Sequence, residues 1–290
     1  MTLRCIAERN CKLLSILRRE LGMSSTLVSR VKWQNALFVN GEAAHTDRLV
    51  NIGDEVTVIL SEQVEGYEAE PMELHILYED EFLIALDKPF GVMMHPSPSR
   101  NSGTLANGLL HYYRETNQPC AVHPVSRLDR DTFGVVLFAK SAHVHAKCCA
   151  LHRQGGIEKT YEAAVFGCPK QTEGEIDLPI GRVGGGSLLR KIAPDGQKAV
   201  SRYRVLKACA QTAHLALRPL TGRTHQLRLH CLASGFPILG DPQYNTEASK
   251  CFSDAFGLSH QQLCAVSLRL AHPMTGEILT ITSSQQVFFP

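Results

Sequence analysis

Leu13, Leu14, Leu17 and Leu21 fall at helical spacing and Gly22 follows them, which predicts a helix ended by a glycine. Ser24 or Ser25 is placed to cap a second helix carrying Val28 and Val31, and Asn35 tolerates a left-handed stop. Leu37-Phe38-Val39 then predicts a short strand, Asn40-Gly41 a hairpin turn, and 52–55 a second turn before the alternating strand 56–59. Residues 64–74 are polar and acidic without periodicity and read as a linker. Beyond it, strands are predicted at 82–86, 135–139, 160–166, 201–206 and 214–220, and a turn at Lys88-Pro89-Phe90-Gly91. Helical patterns fall at 104–113, 142–153 and 224–234. Strands and helices mix without regular alternation, so the expected fold class is α+β with a mixed sheet. The expected division is a small α+β unit at 1–62, the linker at 63–74 and a large unit at 75–290. The acidic linker predicts that the two units pack loosely.

The order helix, helix, hairpin, strand, with the phrase LFVNG…IGDEV, resembles the small RNA-binding domain named for ribosomal protein S-four. In that family the second helix and its flanks meet RNA. The resemblance makes Arg18, Arg19, Arg30 and Lys32 candidate RNA contacts; solvated helix charges are the bland alternative.

Charge changes the picture of the large unit. Net charge is only +2, but residues 63–81 hold 7 acidic and no basic side chains, while 82–290 hold 22 basic against 14 acidic ones. The acidic linker hides a basic surplus of 8 that favours a polyanionic partner such as nucleic acid. No apolar run approaches the roughly 20 residues that span a bilayer, and residues 1–10 lack the apolar core of a secretory signal. The 10 cysteines include no C-x-x-C pair and are expected to be reduced thiols of a cytoplasmic protein. A monomer is expected.

Three phrases carry candidate chemistry. The first, HPVSRLDRDTFGVVLFAK at 123–140, packs two acids and two arginines around Leu128 ahead of an uncharged strand. On spacing alone this is more readily a structural ion pair than a site. The second is GGIEKTYEAAVFG, with a strand tyrosine that could simply be core. The third, LRPLTGRTHQLRLHCLASGFPILGDPQY, reads as a strand, a Thr221-Gly222 turn and a helix whose first turn carries Arg223, stopped by Gly235 and Pro237. Together, and in this order, they resemble the signatures of RluA-type RNA pseudouridine synthases: His-Arg-Leu-Asp-x-x-Thr-Ser-Gly, Lys-Thr-Tyr-x-Ala and Gly-Arg-Thr-His-Gln-x-Arg-x-His. GQKAVSRYRVL and ILGDPQY are weaker matches. The resemblance runs through essentially the whole chain.

The resemblance implies a catalytic carboxylate at Asp129, a guanidinium partner at Arg223 that favours its charged form, and Tyr161 against the target uracil. Arg127 becomes the wedge that fills the space left by a flipped base, and Lys159 opens the tyrosine phrase on the RNA side. Asp131 falls on a variable position and reads as a surface acid. Ser126 and Phe133 stand where the signature has His and Ser. Isomerising uridine breaks an N-glycosidic bond and rejoins ribose to ring carbon five, which needs no redox change, so no cofactor is expected. Ribosomal RNA is the leading expected substrate, with transfer RNA behind it.

Other readings stay in view. A non-catalytic RNA-binding or ribosome-assembly factor on the same fold would be expected to lack Asp129, Tyr161 or Arg223. A uridine methyltransferase would need a methyl-donor loop, and none is legible. His143, His145, Cys148, Cys149 and His152 imitate a metal cluster, but no carboxylate or second group at zinc spacing accompanies them, so no metal is expected. The run Gly181-Arg182-Val183-Gly184-Gly185-Gly186 lacks the Lys-Ser/Thr of a phosphate loop and reads as a flexible surface turn.

Overall fold

The computed structural model describes residues 1–61, 68–97, 101–184 and 189–290. The first stretch builds its own core. Strands β1 (Thr2–Ile6), β3 (Leu37–Val39), β4 (Glu42–Ala43) and β6 (Glu55–Ile59) form a sheet in the order β1-β6-β3-β4, and β2 (Cys11–Lys12) pairs with β5 (Leu49–Val50). Helices α1 (Leu13–Arg19) and α2 (Ser25–Trp33) cover it. Ser24 is the residue that caps α2, accepting a hydrogen bond from the Leu27 N–H at 3.1 Å. Asn35 and Asn40 sit at φ 52°, as a left-handed stop and a tight hairpin require. Ile16 packs in this core whereas Leu14 is 44% exposed, so the apolar stripe of α1 is Leu13-Ile16-Leu17. Strand β1 was not legible in the sequence; it joins the edge of β6 in full antiparallel register.

The linker expected at 63–74 lies partly outside the described residues. Its second half is not loose: Met72 and Leu74 pack on the core beneath helix α3 (Leu105–Glu115), and the Asn107 amide donates to the Glu68 carbonyl at 2.8 Å. Met1, Phe82 and Met274 are packed against the small core and against a core of the large unit at once.

The large unit is organised on a ten-stranded mixed sheet. It contains β7 (Ile76–Glu79), β8 (Leu83–Lys88), β9 (His123–Pro124), β10 (Phe133–Ala139), β11 (Ile157–Phe166) and β12 (Glu173–Asp177). A separate hairpin, β13 (Ile180–Arg182) with β14 (Arg190–Ile192), precedes β15 (Val200–Ala208) and β16 (Thr212–Pro219). Helix α4 is Ala142–Arg153, α5 is Gln226–Ala233 and α6 is Glu247–Ala255; β17 (Leu263–Ala271) and β18 (Ile278–Thr282) close the chain. The main path runs β12-β15-β16-β11-β17-β10-β8-β7. All pairings are antiparallel except β10 with β17, where Phe133 faces Cys264 and Gly134 faces Ala265. Gly134 sits at φ 103° with the Ala265 backbone where a Cβ would be, so only glycine lets the two strands meet there. This parallel contact lies directly after the Arg127-Leu128-Asp129 loop and seats that loop over the middle of the sheet. The surface turn expected at 181–186 begins as strand β13; Gly185 and Gly186 lie outside the described residues. No described helix is long and apolar enough to cross a membrane.

Candidate active site

The loop between β9 and β10 carries Asp129, and its backbone is held from below. Lys88, fully buried at the end of β8, donates to the carbonyls of Pro89, Arg130 and Thr132 at 2.9, 2.6 and 2.8 Å. Burial pulls its amine down to about 7, while the charges of Asp131 and Asp129 hold it up. The Gln261 amide reaches the Thr132 hydroxyl, and the Thr132 N–H donates to the Asp129 carbonyl at 3.2 Å. Asp131 turns to Arg130 in a two-bonded pair at 2.9 and 3.0 Å. The 129–132 end of a mostly irregular loop is thereby pinned, and the Asp129 side chain stays 26% exposed.

The guanidinium expected beside Asp129 is not Arg223. It is Arg228, whose Nη1 lies 3.3 Å from Asp129 Oδ2. Arg228 is buried and gripped by the fully buried Asp241, with Nε 2.6 Å from Oδ2 and Nη2 2.8 Å from Oδ1, and Nη2 also reaches Gln243 at 3.0 Å. Its ring of contacts is completed by Tyr244, over whose face the guanidinium carbon sits at 4.8 Å. Burial disfavours the Arg228 cation, but Asp241 and Asp129 more than offset this and raise its pKa. Arg223 lies before helix α5, is exposed, and donates from Nε to the Lys198 carbonyl at 3.1 Å. The reason is the turn geometry. Gln226 takes hydrogen bonds from the Thr221 hydroxyl and the Arg223 N–H, which curls 221–226 back on itself. His225 occupies the left-handed region at φ 58°, ψ 20° as the residue before the helix. The helix therefore starts two residues later than the sequence suggested, and its first turn presents Arg228. The partner acid lay in the weaker phrase ILGDPQY: an arginine at a buried helical position requires one.

His225 was missed as well. Its Nε2 is 4.0 Å from Asp129 Oδ2, and its Nδ1 is 2.8 Å from the Tyr244 hydroxyl. Burial lowers its pKa, with Asp129 opposing and Arg228 adding to the fall, which leaves a neutral ring at pH 7. A non-glycine residue at positive φ costs of order 1–3 kcal/mol, so the strain here is held by the surrounding bonds.

Tyr161 sits at a register shift in β11 and packs in the core with Leu215, Leu217 and Ala265. Burial first, then the charge of Asp129, raises its phenol. It is thus both a core tyrosine and a neighbour of the carboxylate. Lys159, two residues earlier on β11, is lowered to about 8 by burial and its charge reaches His152. Arg127 is exposed, and its charge adds to the burial that lowers His95. Ser126 is buried, and Phe133 is buried edge-on against His260, so neither departure projects a new group beside Asp129. In the small unit Arg18 is tied to Ser25 and the Met23 carbonyl at 2.7 and 3.3 Å, while Arg19 and Lys32 are exposed and Arg30 half-buried. Among the described residues no group of three or more His, Cys, Asp or Glu could hold a metal.

The family RNA pseudouridylate synthase matches residues 82–233, which include Asp129, Tyr161 and Arg228. The chain is 36% identical over 261 residues to "Uncharacterized RNA pseudouridine synthase YjbO" of Bacillus subtilis (strain 168), covering 89% of this chain and 90% of that one. It is also 36% identical over 250 residues to "Ribosomal large subunit pseudouridine synthase D" of Vibrio parahaemolyticus serotype O3:K6, covering 83% and 77%. The fold resembles that of "Human RNA Pseudouridylate Synthase Domain Containing 4", with a TM-score of 0.59 and 24% identity over 74% of this chain and 88% of that one.

Proposed function

The chain belongs to the RNA pseudouridylate synthase family, an isomerase of uridine in RNA, and on that premise we propose that Asp129 is the carboxylate that performs the isomerisation on a flipped-out uridine. The observation that carries the reading is the contact between Asp129 and Arg228. A partly exposed carboxylate is aimed by a buried guanidinium that Asp241 holds from behind. A fixed anion at this place can attack covalently or stabilise the positive charge that develops on the sugar as the glycosidic bond breaks. Ring carbon five then bonds to the ribose and loses its proton, and ring nitrogen one gains one. Atoms and electrons balance without an oxidant or reductant. Arg228 acts as a positioning residue. Tyr161 offers its ring to the base, and Arg127, exposed on the same loop as Asp129, enters the stack where the base has left, at an unstacking cost of about a few kcal/mol.

The substrate we propose is ribosomal RNA of the large subunit, because several relatives carry that substrate in their names; transfer RNA is the second choice. The small unit adds a second contact through Arg19, Arg30 and Lys32, and Trp33, 86% exposed beside them, gives a face on which an unpaired base can stack. The test is incubation of the full chain with unmodified transcripts of large-subunit ribosomal RNA and, separately, transfer RNA, followed by chemical mapping of pseudouridine. New pseudouridine in the ribosomal transcript is the expected result. Modification confined to transfer RNA contradicts the substrate assignment, and none in either contradicts the activity.

A further inference from the structure

Between the β13–β14 hairpin and the turn before α5 lies a cavity of about 490 Å³ whose walls carry Arg182, Arg190, Lys191, Arg223 and Thr224. Among the described residues the one acid on its lining is Asp195, which is exposed. Arg182 and Arg190 are paired directly across the two strands, and Lys191 is opposite Gly181. Among the described residues Arg182, Lys191 and Arg223 enter no ion pair, and Arg223 spends only Nε, on the Lys198 carbonyl. The backbone holds these groups in place. A Cβ on Gly196 would collide with the Ile180 carbonyl carbon, and one on Gly181 would press on Ala193, so the hairpin is folded tightly against 193–197.

We propose that this cavity is a phosphate site for the RNA backbone next to the target uridine, and that Arg223 belongs to it and not to the carboxylate. The inference rests on the reading of the chain as an RNA pseudouridine synthase. Its position supports the ligand class. The Arg190 N–H donates to the Tyr244 hydroxyl at 2.9 Å, Tyr244 meets His225 at 2.8 Å, and His225 lies 4.0 Å from Asp129. A phosphate seated in this cavity is therefore joined to the reacting carboxylate through the Arg190 backbone, Tyr244 and His225. The volume suits a phosphate with its ribose, within the roughly 300–1,000 Å³ of ordinary ligand sites. The two terminal nitrogens of Arg223 form a planar fork suited to two phosphate oxygens.

The test uses Arg182→Gln with Lys191→Gln in the full chain carrying Asp129→Asn, so that binding is read without turnover. Affinity for an unmodified transcript of large-subunit ribosomal RNA is measured across a range of salt. Loss of two phosphate contacts should weaken binding by about tenfold and flatten the slope of log K against log salt by about 1.4. Lys170→Gln with Lys250→Gln removes the same charge outside the cavity and should leave the slope unchanged. Equal flattening by both pairs would reduce the effect to net charge and overturn the site. A second arm titrates uridine monophosphate and inorganic phosphate: loss of their binding with RNA affinity intact would make the cavity a site for a free nucleotide or ion, and also overturns the proposal. Melting curves check that both double variants fold. Absence of tritium release from uridine labelled at ring carbon five by the unmutated protein would sink the functional reading, but not this binding result.

Discussion

Arg228 and Arg223 stand five positions apart in one phrase, and only one of them meets Asp129. Arg228→Gln should remove turnover and, by leaving Asp241 buried without its cation, destabilise the protein by about 3–5 kcal/mol. Arg228→Lys keeps charge but not the planar fork, and should recover part of the stability without recovering turnover. Arg223→Gln should melt like the unmutated protein and show weaker RNA binding. Melting curves with tritium-release assays check all three; a stable, active Arg228→Gln beside a dead Arg223→Gln would restore the pairing the sequence suggested. Asp129 and Tyr161 were singled out by the resemblance of their phrases to family signatures; spacing alone left a structural ion pair and a core tyrosine as the readings. The choice between the two arginines was not legible. It depends on a left-handed residue at His225 and on an acid thirteen positions downstream of Arg228, neither of which periodicity reports.

At the level of elements, the Asp129 loop is positioned by β8 through one side chain. Lys88 donates to two loop carbonyls, those of Arg130 and Thr132, and to the Pro89 carbonyl beside it. Lys88→Met fills similar space but leaves those carbonyls unsatisfied, at about 1–3 kcal/mol for each that water does not reach. We expect a lower melting temperature and a kcat reduced by at least about 100-fold, since an ångström of misplacement can cost that much; unchanged kcat would show that the loop holds itself. Strand β3 and helix α4 were readable from alternation or helical spacing, and β10 from its uncharged apolar run. Strand β17 was not, because it lies between β11 and β10 with partners on both sides and its burial does not alternate. Helix α6 was missed for the opposite reason: it is short and polar, and the residues it buries are Ser249 and Ser253.

On the scale of the whole molecule, six histidines share one electrostatic situation. His95, His145, His152, His225, His230 and His260 are all lowered from 6.5, burial being the largest cause in each. Folded, they stay neutral where the unfolded chain takes up protons. Their contribution to stability is present above 6.5 and is lost as pH falls through 6.5 toward the lowered folded values. The urea midpoint should therefore drop between about pH 7.5 and about pH 5.5, before the carboxylates titrate; a midpoint that rises over this range would contradict the burial described. The basic surplus of residues 82–290 has a place in the fold, since the β13–β14 cavity collects four of its cations beside the site. The proposed role of Asp129 in the chemistry is measured most directly by tritium release from large-subunit ribosomal RNA labelled at ring carbon five of uridine, with the full chain and its Asp129→Asn variant side by side. Release by the unmutated protein and none by Asp129→Asn is the expected result, with RNA affinity close to unchanged and Asp131→Asn still active. Release by Asp129→Asn at the unmutated rate would contradict it.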